Sequence, residues 1–353
     1  MSRFVGSIHS RALAVGPAPF AAANLMMDSW IAQALYVVVK LGVPDELLKG
    51  PRSAAELATA LSAHAATLER LLRTLASVGF FAYDGNGRYS LSRLSRPLTR
   101  TASDSIRPAI VMWGEAFNWA TFGGLLHAAR TGERAFDHVF GMGVFEYLQA
   151  NPEANAIYNE GMTALAPIGQ GAAAVSYDYS GLRTLVDVGG GHGSILATIL
   201  VRHPQLKGVL FDQPHVVSGA VQALRSGELK ERCEIVPGSF FESIPAGRDA
   251  YLFTTVLHDW DDAHALRILQ AARRAVPEKG RLLLVEVVLP PRSEYHVGRL
   301  IDLQVLAMHG SRERTEAEFR TLLAAAGFRV ERVLASATPM SIVEAVPVEA
   351  KVP

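Results

Sequence analysis

Cysteine is nearly absent. Cys233 is the only one in 353 residues, which excludes an internal disulfide and a cysteine-built metal site. It is expected as a small, partly buried residue. Excess charge of either sign is absent too. Lysine plus arginine number 34 and aspartate plus glutamate 34, so the formal net charge is zero. Nucleic-acid and membrane-surface proteins usually carry a basic field, so neither partner is expected. No basic segment followed by an apolar run and a small-residue cleavage site opens the chain, as a secretory signal would. The longest apolar runs, such as Leu282 to Leu289, have strand length, well short of the ~18–20 residues of a membrane helix. A cytoplasmic location is expected. What is abundant is apolar: 49% of the residues are hydrophobic, enough for a sizeable core. The length suits about two domains at roughly 100–200 residues each.

The first half has helical periodicity. Met26 to Val39 is apolar nearly all round, which predicts a helix deeply buried or facing a partner subunit. Gly42, Val43 and Pro44 break it. Ser53 with Glu56 has capping-box spacing, so a short helix from Ala54 to Ala60 is expected. Ala65 to Val78 places Leu68, Leu71, Leu72 and Leu75 on one helical face. Phe80 to Tyr83 and Tyr89 to Leu91 then flank a glycine turn, which is a β-hairpin pattern. Helix, helix and two-stranded wing predict a winged-helix region over residues 1–104. Residues 105–180 are helical again and rich in aromatics from Trp113 to Tyr147. This stretch is expected as a helical linker that supplies core, interface or substrate-pocket wall.

From Leu182 the pattern changes. Strand-like runs at Thr184 to Val188, Gly208 to Phe211, Cys233 to Pro237, Ala250 to Thr255, Gly280 to Val288 and Arg329 to Leu334 alternate with helical segments. That predicts an α/β domain over 181–353 with a parallel, doubly wound sheet. The first strand runs through Asp187 into Gly189, Gly191 and Gly193, then into an apolar helix. Such glycines let a ligand approach the main chain, and the helix start suits a carboxylate or phosphate. The G-x-G-x-G spacing is not the dinucleotide G-x-G-x-x-G. Asp212 closes the second strand, where an acid typically binds ribose hydroxyls.

His258 and Asp259 directly follow the fourth strand, at the carboxyl edge where open α/β sheets bind ligands. A histidine there can take a proton near neutral pH. Two acids stand apart. Glu286 sits inside an apolar strand and Glu313 between Arg312 and Arg314. Either could orient a histidine, as the acid of a serine-protease triad does. From spacing alone, Glu286 could equally end at a strand edge and Glu313 in a surface ion pair.

These residues resemble the caffeate-type and bacterial natural-product O-methyltransferases, a branch of the class I S-adenosylmethionine enzymes. The resemblance spans about Met26 to Leu334. It rests on Leu-Val-Asp-Val-Gly-Gly-Gly-His-Gly, Phe-Asp-Gln-Pro-His-Val, Pro-Gly-Ser-Phe-Phe-Glu-Ser-Ile-Pro, Leu-His-Asp-Trp-Asp-Asp and Arg-Glu-Arg-Thr-Glu-Ala-Glu-Phe, in that order. It implies a Rossmann-like methyltransferase domain, an N-terminal winged-helix dimerisation domain and a homodimer. It implies His258 as catalytic base, with Glu286 and Glu313 flanking it. It implies cofactor contacts from Asp187, the Gly189–Gly193 turn, Asp212, Ser239, Phe240 and the Thr254 position. His192, Ser239 and Thr254 depart from the commoner threonine, aspartate and lysine or arginine. The 286–313 segment is shorter than in the plant enzymes, so plant substrates do not carry over. Met162, Asp259, Met308 and His309 are candidates for a pocket that takes a flat aromatic or polyketide-like acceptor.

The expected chemistry is methyl transfer from S-adenosylmethionine to a phenolic hydroxyl, without a metal. Two rivals differ in class. A winged-helix transcription regulator would need a basic second helix, and only Arg70 and Arg73 stand there, just after Glu69. A changed reaction on the same fold (hydroxylation, decarboxylation or cyclisation), or methylation at nitrogen or carbon, would use the same cofactor.

Overall fold

The computed structural model describes residues 17–292 and 295–348. The ends of the two outer expected domains, 1–16 and 349–353, lie outside the described residues. The chain forms two compact units. The described parts of one are 17–125 and 139–165, and of the other 126–138, 166–292 and 295–348. The stretch 105–180 is therefore shared between them.

The helical unit opens with Ala18–Leu41, which begins well before Met26. Pro19 stands near its start, where the missing N–H costs nothing, and Ala21 to Ala23 propagate it. Only Ala34, Val38 and Val39 of this helix are buried within the chain, while Phe20, Met26 and Trp30 are 66%, 70% and 69% exposed. Burial in its own core is thus corrected, and the helix presents an apolar face outward. The expectation that no segment reaches membrane-spanning length is also corrected, because this helix is long and apolar enough by length and composition. Polar residues interrupt the run, yet only Asp28 and Lys40 carry charge.

The capping box forms as the spacing predicts. Glu56 N donates to Ser53 Oγ at 3.2 Å and Ser53 N to Glu56 Oε2 at 2.7 Å. It starts Ala54–Leu61, which Ala65–Ser77 follows. Strands β1 (Arg52–Ser53), β2 (Phe81–Tyr83) and β3 (Arg88–Leu91) pair in the order β1-β3-β2. Leu57, Leu68, Leu72, Phe81 and Tyr89 pack with Val38 and Val43 in one core.

The other unit carries β4 (Thr184–Val188), β5 (Lys207–Asp212), β6 (Cys233–Pro237), β7 (Ala250–Thr254), β8 (Arg281–Leu289), β9 (Arg314–Thr315), β10 (Phe328–Ala335) and β11 (Met340–Pro347). The sheet order is β10-β11-β8-β7-β4-β5-β6, with β9 beside β8. β4 to β8 pair in parallel, and β11 runs antiparallel to both β8 and β10. The sheet is therefore mixed rather than wholly parallel. β11 has no sequence counterpart above, because its short apolar run follows β10 through a turn too brief for a crossover helix. Helices cover both faces. Asp262–Ala275 and Glu316–Ala325 pack on one through Ile268, Leu269, Phe319 and Leu323. Ser194–Arg202 and Gln170–Ala174 pack on the other. The parallel centre brings the carboxyl ends of β4 to β8 to one edge.

Candidate active site

At that edge β4 ends in the glycine turn. Gly189, Gly191 and Gly193 have φ of 69°, 60° and 78°, the left-handed region that favours glycine. A Cβ at Gly193 would stand 2.4 Å from Leu224 Cδ1, and one at Gly190 would stand 2.6 Å from Asp187 Oδ2. Gly191 N donates to Asp212 Oδ2 at 2.8 Å, and Gln213 N to Asp212 Oδ1 at 2.7 Å. Phe240 lies beside Gly189 and edge-on to Trp260, 6.2 Å between centroids. Ser239 Oγ accepts from Phe241 N at 3.3 Å. The structure thus gathers Asp187, the glycines, Asp212, Ser239, Phe240 and Thr254 along one edge.

Two groups there are unsatisfied. Both carboxylate oxygens of Asp187 and the Thr254 hydroxyl are buried without a hydrogen-bond partner. Burial, and then the neighbouring Asp212, push the Asp187 carboxyl up to about 7. A buried acid left this way is costly. It suits a cationic group, and the glycine turn leaves main chain bare beside it. These residues fit a ligand such as S-adenosylmethionine, whose ammonium and sulfonium are positive and whose ribose would meet Asp212.

His258 lies in the 3-10 turn Leu257–Asp259, just past β7. Its Nδ1 is 2.8 Å from Glu313 Oε1. A carboxylate accepts, so Nδ1 carries the hydrogen, and Nε2 is the basic nitrogen of the neutral ring. Nε2 faces Asp259 Oδ1 at 3.4 Å, and that oxygen is also 3.4 Å from His309 Nε2. Burial alone would depress the His258 imidazole. The Glu313, Asp259 and Glu286 carboxylates outweigh it and push it up to about 10. His309 is depressed by burial, which Asp259 opposes.

Glu286 is fully buried but acts on main chain. Its Oε1 accepts from Val256 N at 3.1 Å and Leu257 N at 2.8 Å. Of the two acids, Glu313 is the one hydrogen-bonded to the ring. Neither ends in the surface position that spacing left open, since Glu313 is buried and Arg312 and Arg314 both pair with Asp262. Thr255, between strand and turn, has φ of 52°, a strained conformation for a β-branched residue. Its amide continues the ladder to Val285 O at 2.9 Å.

His258, Glu286 and Glu313 offer donor atoms all within 4.8 Å of one another, a set whose residue types could hold a metal. The 2.8 Å separation of Nδ1 and Oε1 is a hydrogen bond. The amides aimed at Glu286 Oε1 would oppose a cation there. Met308 is buried at the end of Val297–His309, beside His309. Met162 is half-buried in Pro152–Leu165 of the helical unit. Sequence reasoning missed Ser311, Arg314 and Asp302, which bond the His258 turn or Glu313. Their signal was present in the charged Arg312 to Arg314 run, which spacing alone reads as surface.

Comparison with known proteins gives the family. The O-methyltransferase domain family matches residues 122–329, and the O-methyltransferase dimerisation domain family matches 23–101. The chain belongs to the O-methyltransferase family and is an enzyme of that class. It is 41% identical over 335 residues to phenazine O-methyltransferase PhzM of Lysobacter antibioticus, covering 94% of this chain and 98% of that one. It is 39% identical to the mitomycin biosynthesis 6-O-methyltransferase of Streptomyces lavendulae, covering 91% and 92%. The structure also resembles NcsB1 from neocarzinostatin biosynthesis, solved with S-adenosylmethionine and 2-hydroxy-5-methyl naphthoic acid. That match has a TM-score of 0.79 at 34% identity, covering 90% and 96%.

Proposed function

We propose that this chain transfers the methyl group of S-adenosylmethionine to a phenolic hydroxyl of a small aromatic or polyketide-like natural product, as a homodimer, with His258 as general base. The observation that carries the reading is the buried His258–Glu313 hydrogen bond at the ligand edge of the sheet. The relatives named for phenazine and mitomycin, and the naphthoic acid in NcsB1, support an aromatic acceptor. The dimerisation family and the exposed Phe20, Met26 and Trp30 support the dimer.

S-adenosylmethionine, when bound, supplies an already activated methyl group. The protein's main task is then alignment, which can supply on the order of 7–11 kcal/mol. Asp187 and Thr254 would hold the charged end, and Asp212 the ribose. Nε2 of the neutral His258 ring takes the hydroxyl proton as the oxygen attacks, worth about 10²–10⁴-fold. Because the ring is pushed up to about 10, turnover rises with pH toward that value. Glu313 fixes the tautomer and stabilises the imidazolium. Glu286 holds the turn through its amides. Asp259, Met308 and His309 would shape the acceptor side.

The test is calorimetric titration with S-adenosylmethionine and with NAD, followed by a mass-spectrometric screen of phenols for the gain of one methylene. Binding of the first alone, methylated phenol, insensitivity to chelator and loss of turnover in His258→Ala are expected. NAD binding without S-adenosylmethionine binding, or full turnover in His258→Ala, refutes the reading. Methylation of an aromatic amine in place of the phenol would move it to nitrogen transfer.

A further inference from the structure

The turn that carries His258 has little support of its own. Leu257–Asp259 is three residues long and follows the strained Thr255. Its carbonyls are gathered instead by residues 311–314. Ser311 Oγ donates to His258 O. Arg314 Nη1 donates to Leu257 O and Nη2 to Trp260 O, each at 2.9 Å. The same guanidinium reaches Asp262 Oδ1 through Nε at 3.1 Å and Nη2 at 2.8 Å. Arg314 is among the largest fully buried side chains. A guanidinium removed from water must be compensated. Part of the compensation here comes from main-chain carbonyls at the turn, Leu257 O within it and Trp260 O just past it.

The opposite side is held as well. Glu286 Oε1 takes the Val256 and Leu257 amides, and Asp302 Oδ1 takes the Glu313 amide at 2.8 Å. Glu313 lies between Ser311 and Arg314 in sequence. The bond from its carboxylate to the ring therefore depends on main chain that these neighbours fix.

We propose that Arg314, assisted by Ser311, is a positioning residue for methyl transfer, holding the main chain of the base turn so that the His258 imidazole stays on Glu313. The inference rests on His258 being the base. Lysine in place of Arg314 has no planar fork and cannot bond Leu257 O, Trp260 O and Asp262 together.

The experiment compares Arg314→Lys and Ser311→Ala in the full chain. Readouts are the downfield proton resonance of the His258 Nδ1–H, kcat and KM for the acceptor, the pH profile, and S-adenosylmethionine affinity. In Arg314→Lys the resonance should vanish and kcat fall about 10²-fold, as expected for a displaced catalytic group, with cofactor affinity unchanged. Ser311→Ala should lower kcat about fivefold, the worth of one hydrogen bond, and its pH profile should move. Wild-type kcat and an intact resonance in Arg314→Lys overturn the proposal. If that variant does not fold, wild-type kcat and pH profile in Ser311→Ala overturn it. Loss of the resonance in Arg314→Lys with full turnover in His258→Ala overturns the base assignment, and the catalytic role of the clamp with it. Loss of turnover in His258→Ala with a normal Arg314→Lys overturns the clamp alone.

Discussion

Replacing Glu313 by glutamine removes one charge and keeps the shape of the side chain. The carboxylate is 2.8 Å from His258 Nδ1, its side chain fully buried and the histidine's only 14% exposed. Two unit charges ~4 Å apart at an effective dielectric of ~20 interact by about 4 kcal/mol. An opposite charge at such range moves a pKa by about 1–3. Glu313 is first among the groups that raise His258, so the acid limb of kcat should fall by that amount in Glu313→Gln. With His258 as the proposed base the plateau should fall as well, because its imidazolium would lose a charged hydrogen bond worth about 1.5–3 kcal/mol, or roughly 10–150-fold. The pair also stabilises the fold. That contribution is complete below the unfolded histidine value and disappears as pH rises through about 10. Product formation measured across pH for wild type and variant tests both effects. A variant profile that superimposes on the wild type, or an acid limb that moves upward, refutes the reasoning.

Asp187→Asn should raise melting temperature while weakening S-adenosylmethionine. The folded carboxyl is raised to about 7, so its burial costs stability increasingly as pH rises from the ordinary aspartate value through 7. At pH 8 the variant should gain on the order of 2–4 kcal/mol, and no gain in a thermal melt refutes the unpaired-acid assignment. Gly193→Ala combines φ of 78° with a Cβ 2.4 Å from Leu224 Cδ1. It should cost about 2–4 kcal/mol by denaturant titration. Trp30→Glu places a charge on the exposed apolar face of Ala18–Leu41, and sedimentation should show the proposed dimer dissociating. An unchanged sedimentation coefficient would remove that face from the interface.

The elements most legible in the sequence were those built from local chemistry. The Ser53–Glu56 capping box, the Ala65–Ser77 stripe and the Gly189–Gly193 turn all lie within a few residues. Their hydrogen bonds and φ values follow from residue type and spacing. β4, β5, β7 and β8 were legible because a buried parallel strand reads as a near-continuous apolar run, and the half-exposed edge strand β6 by its place in the alternation. The exposed face of Ala18–Leu41 was only half legible, because an apolar helix pattern does not say what covers it.

The alternation of strands and helices by itself determined that Asp187, Asp212 and Thr254 come to one edge of the sheet, because parallel strands joined by helices must end on the same side. Tertiary structure alone decided which acid meets His258. Glu313 is 55 residues from it in sequence, and it arrives because β9 pairs with β8 at Val288 and Leu289. The same packing turned Glu286 toward the Val256 and Leu257 amides rather than onto the ring. It also buried Arg314 against the His258 turn. Spacing cannot express either outcome, because partners are chosen by which strands lie adjacent and which buried charges find compensation there.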